Sequence, residues 1–331
     1  MRLNKYLAAF LVLVTLNSCS NNSKTTEVAP IEKHEYTKSE FLISPESLNK
    51  MVASEKKFAL IDCRKEELFN ESHLSNSVHI YRSQMTQTID SVSGLALDRQ
   101  NVAEILGSKG VETGETIVLY DDRAQCESVR FWWLLHSYGH HNILILDGGF
   151  QDWVAHGYPL VEDSQGFKVS PSVFEFEHEL NQTNWANRNL VKRATESANI
   201  ALLDCRSKDE YSGKELKKGA FRAGHIPTAI HIDFWENMNM GSDGEIWFRS
   251  KQEIEEKYNG LNLSKNDSII VYCQSGVRSA QTLFVLTKLL GYKNVFNYDG
   301  SWIDWSSDAS LPIVNFSDST RVSEKDLDEV L

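Results

Sequence analysis

Ile269-Ile270-Val271-Tyr272-Cys273-Gln274-Ser275-Gly276-Val277-Arg278-Ser279 reads as a buried strand, a short glycine-containing loop and the start of a helix. The continuous apolar run suits a strand covered on both faces. Beyond the loop, Ala280, Leu283, Phe284, Thr287 and Leu290 fall on one helical stripe between Val277 and Leu290, and Gly291 follows as a stop. Strands that feed directly into helices build mostly parallel sheets with helices on both sides.

The same unit is written twice. Ser72-His73-Leu74 matches Gly224-His225-Ile226, Val78-His79-Ile80 matches Ile230-His231-Ile232, Leu146-Asp147-Gly148-Gly149 matches Tyr298-Asp299-Gly300-Ser301, and Asp152-Trp153 matches Asp304-Trp305. All share one offset, since 225 − 73, 231 − 79, 299 − 147 and 305 − 153 each equal 152. Upstream, Ile61-Asp62-Cys63-Arg64 matches Leu203-Asp204-Cys205-Arg206 at 204 − 62 = 142, so the second copy carries ten extra residues between Arg206 and His225. Other short apolar runs, Phe58–Ile61, Ala201–Leu203 and Ile117–Tyr120, supply further strands; Glu127–Tyr138, closed by Gly139, supplies a helix like Val277–Leu290. Ser44-Pro45-Glu46 caps another. The expected architecture is α/β, with two similar domains over 41–160 and 185–315, a linker over 161–184 and a tail over 316–331.

Length and composition agree. A chain of 331 residues exceeds the roughly 250–300 residues at which single cores stop growing. With 46 acidic and 34 basic side chains, net −12, it offers no counterion-release term for a nucleic-acid partner. Five cysteines are too few for a disulfide scaffold. Arg2 and Lys5 precede an apolar run, Tyr6–Leu16, that is too short to span a bilayer and fits a signal-peptide core. Leu16-Asn17-Ser18-Cys19 resembles a bacterial lipobox, making 1–19 a lipoprotein signal, Cys19 the lipid attachment site and 20–40 a flexible tether. A plain secreted protein and an uncleaved anchor are the other readings of this leader.

The chemistry sits in the loop. A helix N-terminus and successive backbone N–H groups converge on the Cys273 sulfur, and Arg278 adds a fixed cation. Such surroundings lower a thiol's pKa and make a nucleophile in an anion-accepting cradle formed by Gln274, Ser275, Gly276, Val277 and Arg278. Most cysteines without such a loop are small buried residues. Four residues separate Cys273 from Arg278, one fewer than in cysteine phosphatase loops, so a phosphate ester should not fit.

These residues resemble the tandem-domain rhodanese family of thiosulfate and 3-mercaptopyruvate sulfurtransferases. Cys273-Gln274-Ser275-Gly276-Val277-Arg278 corresponds to the active loop, Gly224-His225-Ile226-Pro227 and Tyr298-Asp299-Gly300-Ser301-Trp302 with Trp305 to the family's signatures. Arg130-Phe131-Trp132-Trp133 and Leu146-Asp147-Gly148-Gly149-Phe150 belong to the first copy in the same sense. The resemblance spans about Phe41 to Ile313. It implies a Cys273 persulfide held by backbone N–H groups of residues 274 to 278, formed from a small anionic donor and emptied by cyanide or a thiol acceptor. No metal and no organic cofactor are implied, a monomer is expected, and the lipobox-like leader implies an envelope location with membrane contact through the lipid anchor alone. Arg206, matching the family's arginine at the strand end, is the expected donor-binding residue; its alternative is a salt bridge to Asp204 or another acidic neighbour.

The first copy departs where it matters. Asp121 replaces the nucleophile, Cys126 falls opposite Arg278, on the wrong side of the loop to substitute for it, and the first domain should only close a cleft over Cys273. Gln274 and Arg278 fit neither branch's loop fully, and Glu210 stands where the family has a second arginine. His73, His79, His225 and His231 read as fold-keeping hydrogen-bonders, Trp132-Trp133 as core and domain interface, and His140-His141 as a helix-end feature. Cys63 and Cys205 read as buried small residues, with a disulfide left open. The rival to an enzyme is a non-catalytic rhodanese-like binding or persulfide-carrier module.

Overall fold

In the computed structural model the described residues are 39–54, 56–162, 169–242 and 244–316. The signal, Cys19, nearly all of the tether and all but Phe316 of the tail lie outside them. The first half contains β1 (Leu42–Ile43), α1 (Pro45–Val52), β2 (Ala59–Asp62), α2 (Glu66–Glu71), β3 (His73–Leu74), β4 (Ser77–His79), β5 (Thr86–Ile89) and β6 (Val92–Ala96). It continues with α3 (Arg99–Ser108), β7 (Ile117–Tyr120), α4 (Cys126–Ser137), β8 (Ile143–Leu146), α5 (Gly149–Ala155) and β9 (Leu160–Val161). The second half begins with β10 (Trp185–Ala186), α6 (Arg188–Thr195), β11 (Ile200–Asp204), α7 (Lys208–Ser212), β12 (Ile230–His231), β13 (Met238–Met240) and β14 (Ile246–Phe248). It ends with α8 (Lys251–Asn259), β15 (Ser268–Tyr272), α9 (Val277–Phe284), β16 (Asn294–Tyr298) and α10 (Ser301–Ser307).

Each half is a parallel five-stranded sheet, in the order β1-β8-β7-β2-β4 and β10-β16-β15-β11-β12. In both, the central strand ends beside an Asp-x-Arg strand end, with Asp62 level with Tyr120 and Asp204 level with Tyr272. Side chains repeat as faithfully as strands. The Tyr120 hydroxyl accepts from Leu74 N (3.2 Å), and the Tyr272 hydroxyl accepts from Ile226 N (3.1 Å). The four repeated histidines bond main-chain oxygens: His73 that of Phe69 (2.9 Å), His225 that of Tyr211 (2.7 Å), His79 that of Arg64 (2.9 Å) and His231 that of Arg206 (2.8 Å). Ser44 caps α1 by accepting from Ser47 N. The last turn of the catalytic helix is wider than the stripe predicts, a π-helix over Val285–Leu289 with Leu290 N donating to Val285 O.

The halves share a core. α4 and α9 pack with Trp132 edge-on to Phe284, ring centres 4.9 Å apart, inside one continuous apolar cluster drawn from both domains. Two hairpins, β5-β6 and β13-β14, are a further product of the duplication, and the sequence pattern did not announce them. Each reaches into the opposite domain: Ala96 N donates to Asp299 Oδ2 (2.9 Å), and Phe248 N donates to Asp147 Oδ1 (3.1 Å). Since 248 − 96 and 299 − 147 both equal 152, the duplicated halves exchange equivalent arms.

The linker is more structured than its polar composition suggests. Ser172 N donates to Gly107 O, the Ser172 hydroxyl to Val111 O, and Arg99 Nη2 to His178 O (2.7 Å). Phe174 is buried against His140 and Phe176. Residues 172–178 therefore pack on the first domain, and Phe174→Ala should lower unfolding free energy by about 3 kcal/mol in urea titrations, the cost of an aromatic-sized cavity.

Candidate functional site

β15 is buried from Ile269 to Tyr272, and Cys273 leaves it at the carboxyl edge, where open parallel sheets place their sites. Gly276 then turns the chain with φ +75° into α9. A side chain here would be strained by that φ, and its Cβ would lie 2.7 Å from Asp299 O and 2.9 Å from Arg130 Nη1. The Ser301 hydroxyl braces the turn, accepting from Cys273 N (3.2 Å) and Gly276 N (3.0 Å) while donating to Tyr298 O (2.6 Å).

That brace corrects the expected cradle. The Gly276 amide is spent on Ser301, so it does not face the sulfur. The Ser275 and Ser279 amides act to lower the Cys273 thiol, the latter one residue beyond the predicted range. The Ser279 hydroxyl lies between two acceptors that share its single proton, Asn297 Oδ1 at 2.6 Å and Sγ at 3.5 Å. Cys273 is 1% exposed. Burial alone pushes its thiol up, yet the Arg278 charge, the Ser279 hydroxyl and the two amides outweigh that and hold it below the ordinary thiol value.

Arg278 is fixed by Glu210 in a two-point pair, Nη1–Oε2 2.6 Å and Nη2–Oε1 2.9 Å. Burial raises the Glu210 carboxyl, but Arg278 with Arg206 and Lys217 brings it down to about 2. The residue that departs from the family pattern thus sets the direction of the loop's cation. Gln274 turns outward, donating to Lys218 O (3.4 Å) in the ten-residue insertion, and Lys217 of the same insertion reaches Glu210 at 3.4 Å.

Arg206 is not placed to bind a donor. It is 1% exposed; Nε lies 2.9 Å from Asp204 Oδ1, Nη2 lies 2.5 Å from Oδ2 and 2.8 Å from Gly224 O, and the guanidinium stacks on Trp302 at 4.6 Å. Arg64 makes the same pair with Asp62 in the first domain, where no nucleophile exists. An interaction kept in both copies serves the strand end rather than the chemistry.

The first-domain loop carries its own anion. Asp121 accepts from Arg123 N (2.6 Å), Ser128 N (2.7 Å) and the Ser128 hydroxyl (2.8 Å), so its carboxylate fills the cradle of its own loop. Cys126, at the start of α4, lines the same cleft as Cys273. Burial, with Asp121 and Glu127 nearby, pushes its thiol well up, opposite to the shift at Cys273. Cys63 and Cys205 are free and buried. The cleft over Cys273 encloses ≈ 560 Å³ between the domains. Arg82, Asp122, Arg123, Cys126 and Glu127 line it from the first domain; Lys217, Asp233, Phe234, Trp235 and the loop line it from the second. Arg123 and Arg82 approach the buried Glu127 at 3.3 and 3.5 Å. Sequence reasoning missed Ser279, Ser301, Asn297, Arg82 and Lys217 as site residues. Ser279 was legible in principle, one turn into the helix that carries Arg278; the others arrive from distant segments without a local signal.

A paired α/β domain with a depressed-pKa cysteine in a short strand-to-helix loop defines a persulfide-forming transferase. The rhodanese-like domain profile matches residues 44–156 and 187–308, and the chain belongs to the rhodanese family as a tandem-domain sulfurtransferase. The thiosulfate sulfurtransferase of Corynebacterium glutamicum is 32% identical over 257 residues, covering 74% of this chain and 81% of that protein. Among solved structures, an EanB variant in complex with ergothioneine superposes with a TM-score of 0.71 at 19% identity, covering 83% of this chain and 70% of that one. YnjE does so with a TM-score of 0.69 at 21% identity, covering 83% and 68%.

Two outcomes follow. Alkylation of Cys273 by iodoacetamide as a function of pH should titrate below the ordinary cysteine value of about 8.5, and both Ser279→Ala and Arg278→Gln should move the midpoint upward. Asp204→Ala leaves a buried guanidinium unpaired and should cost about 3–5 kcal/mol of stability in denaturant titrations.

Proposed function

We propose that the protein moves sulfane sulfur from thiosulfate or 3-mercaptopyruvate through a Cys273 persulfide to cyanide or a thiol. The observation that carries this is a buried sulfur kept ionisable by Arg278 and Ser279 at the floor of a cleft large enough for a small anion. With thiosulfate, the Cys273 thiolate attacks the outer sulfur, the S–S bond breaks and sulfite leaves with the electron pair. The persulfide anion then gains the Ser275 and Ser279 amides as partners. Cyanide attacks the terminal sulfur, thiocyanate departs, and the thiolate is restored. The name of the Corynebacterium relative favours thiosulfate. Arg123 and Lys217, exposed cations on opposite walls, are placed to meet the donor's negative end.

The anchor belongs to the same proposal. Arg2, Lys5, the run from Tyr6 to Leu16 and Cys19 support export and lipid attachment at Cys19, holding a monomer at the bacterial envelope. Among the described residues no helix is long and apolar enough to cross a membrane. Cys19→Ala should move the chain from the detergent to the aqueous phase on Triton X-114 partition; partition unchanged from wild type refutes the anchor.

Cyanide-dependent thiocyanate release should be measured with thiosulfate and 3-mercaptopyruvate on the chain lacking residues 1–19. Cys273→Ala should abolish turnover with either donor, a loss of at least about 1000-fold for a missing nucleophile. Undiminished turnover in that variant would falsify the assignment. A stable single sulfur on Cys273 without turnover points to the carrier instead.

A further inference from the structure

Arg130 belongs to the domain without a nucleophile, yet its guanidinium is buried against the catalytic loop of the other. Nη1 donates to Gly276 O (3.3 Å), Nη2 donates to Gly94 O (3.3 Å) and to Asp299 Oδ1 (2.5 Å), and the plane lies 4.5 Å from the Trp133 ring. Asp299 in turn accepts from Ala96 N through its other oxygen. One side chain therefore ties together the hairpin arm of the first domain, the closing signature of the second and the turn of the active loop.

We propose that Arg130 is a positioning residue for the sulfur-transfer step: it sets the orientation of the Gly276–Val277 peptide, and through it the groups of α9 that face the Cys273 sulfur. This rests on Cys273 being the sulfur carrier. A trans peptide is rigid, with its C=O and N–H on opposite sides. Holding the Gly276 carbonyl from outside the loop, Arg130 and Asn297 Nδ2 (3.0 Å) together fix which way the start of α9 points. The same Asn297 takes the Ser279 hydroxyl on its Oδ1, and that hydroxyl lies 3.5 Å from the sulfur. The path from Arg130 to Sγ thus runs through one peptide, one amide side chain and one hydroxyl.

The duplication gives each loop a comparison. The two arms are exchanged symmetrically, with Asp147 and Asp299 receiving equivalent arm amides. At the repeat offset the partner of Arg130 is Thr282, since 282 − 130 = 152. The mirror loop is tied too, since Gln281 Nε2 donates to Ala124 O (3.0 Å), the counterpart of Gly276 O at 276 − 124 = 152, but over the cysteine loop the tie is a charged guanidinium that also holds Asp299. Gly276 is consistent with that, because Arg130 Nη1 and Asp299 O occupy the space where a side chain would be.

The test compares Arg130→Met, Arg130→Lys and Asp147→Asn, the last weakening the mirror-image arm contact away from the active loop. The readouts are the pH midpoint of Cys273 alkylation, steady-state sulfur transfer and thermal melting. Arg130→Met should raise the midpoint by about one unit and lower kcat about tenfold with KM little changed, and Arg130→Lys should recover part of both. Asp147→Asn should lower the melting temperature and leave the thiol titration alone. The proposal is overturned if Arg130→Met titrates and turns over as wild type, or if Asp147→Asn shifts the thiol as much. Should Arg130→Met fail to fold, Arg130→Lys and Asp299→Asn carry the same comparison. Alkylation needs no sulfur donor, so a wrong choice of donor leaves this result readable.

Discussion

A thiolate sealed from water is unstable unless fixed charges and dipoles replace the lost hydration, and this site is built around that requirement. Cys273 lies at the end of a strand buried on both faces, which fixes the sulfur's position but strips its solvent. Arg278, the Ser279 hydroxyl and two amides supply what is lost. Each needs its own support. Glu210 orients Arg278, Asn297 orients Ser279, and Ser301 holds the turn from beneath.

Duplication made this affordable by letting the copies diverge. In the first domain Asp121 puts a carboxyl side chain where a persulfide would sit, satisfying its loop's amides from within the chain. That domain is thereby free to act as wall and clamp, contributing Arg82, Arg123 and Glu127 to the cleft and Arg130 to the loop. The Asp-x-Arg strand ends, the paired histidines and the tyrosine hydroxyls stayed alike in both halves because they hold strand ends together, which each sheet needs whether or not it performs chemistry.

Reading Arg206 as a donor site illustrates how spacing misleads. An arginine two residues after a strand-end aspartate looks equally suited to an external anion and to that aspartate, and only the three-dimensional placement of Gly224 and Trp302 decides between them. The opposite error concerned Glu210. Read alone it was the loss of a cation; in the fold it is the acceptor that aims Arg278.

The amino-acid order alone determined the duplicated frame, the parallel α/β sheets, Cys273 as the candidate nucleophile and the aspartate that stands at its position in the first copy. Those features rest on local periodicity and on residues a few positions apart, where chain connectivity enforces proximity. The exchanged hairpins, the Ser301 brace, the Glu210–Arg278 pair and the reach of Arg130 were decided only by tertiary structure. They join segments from 25 to more than 200 residues apart, and no local pattern records which distant side chains a packed interface will bring into contact.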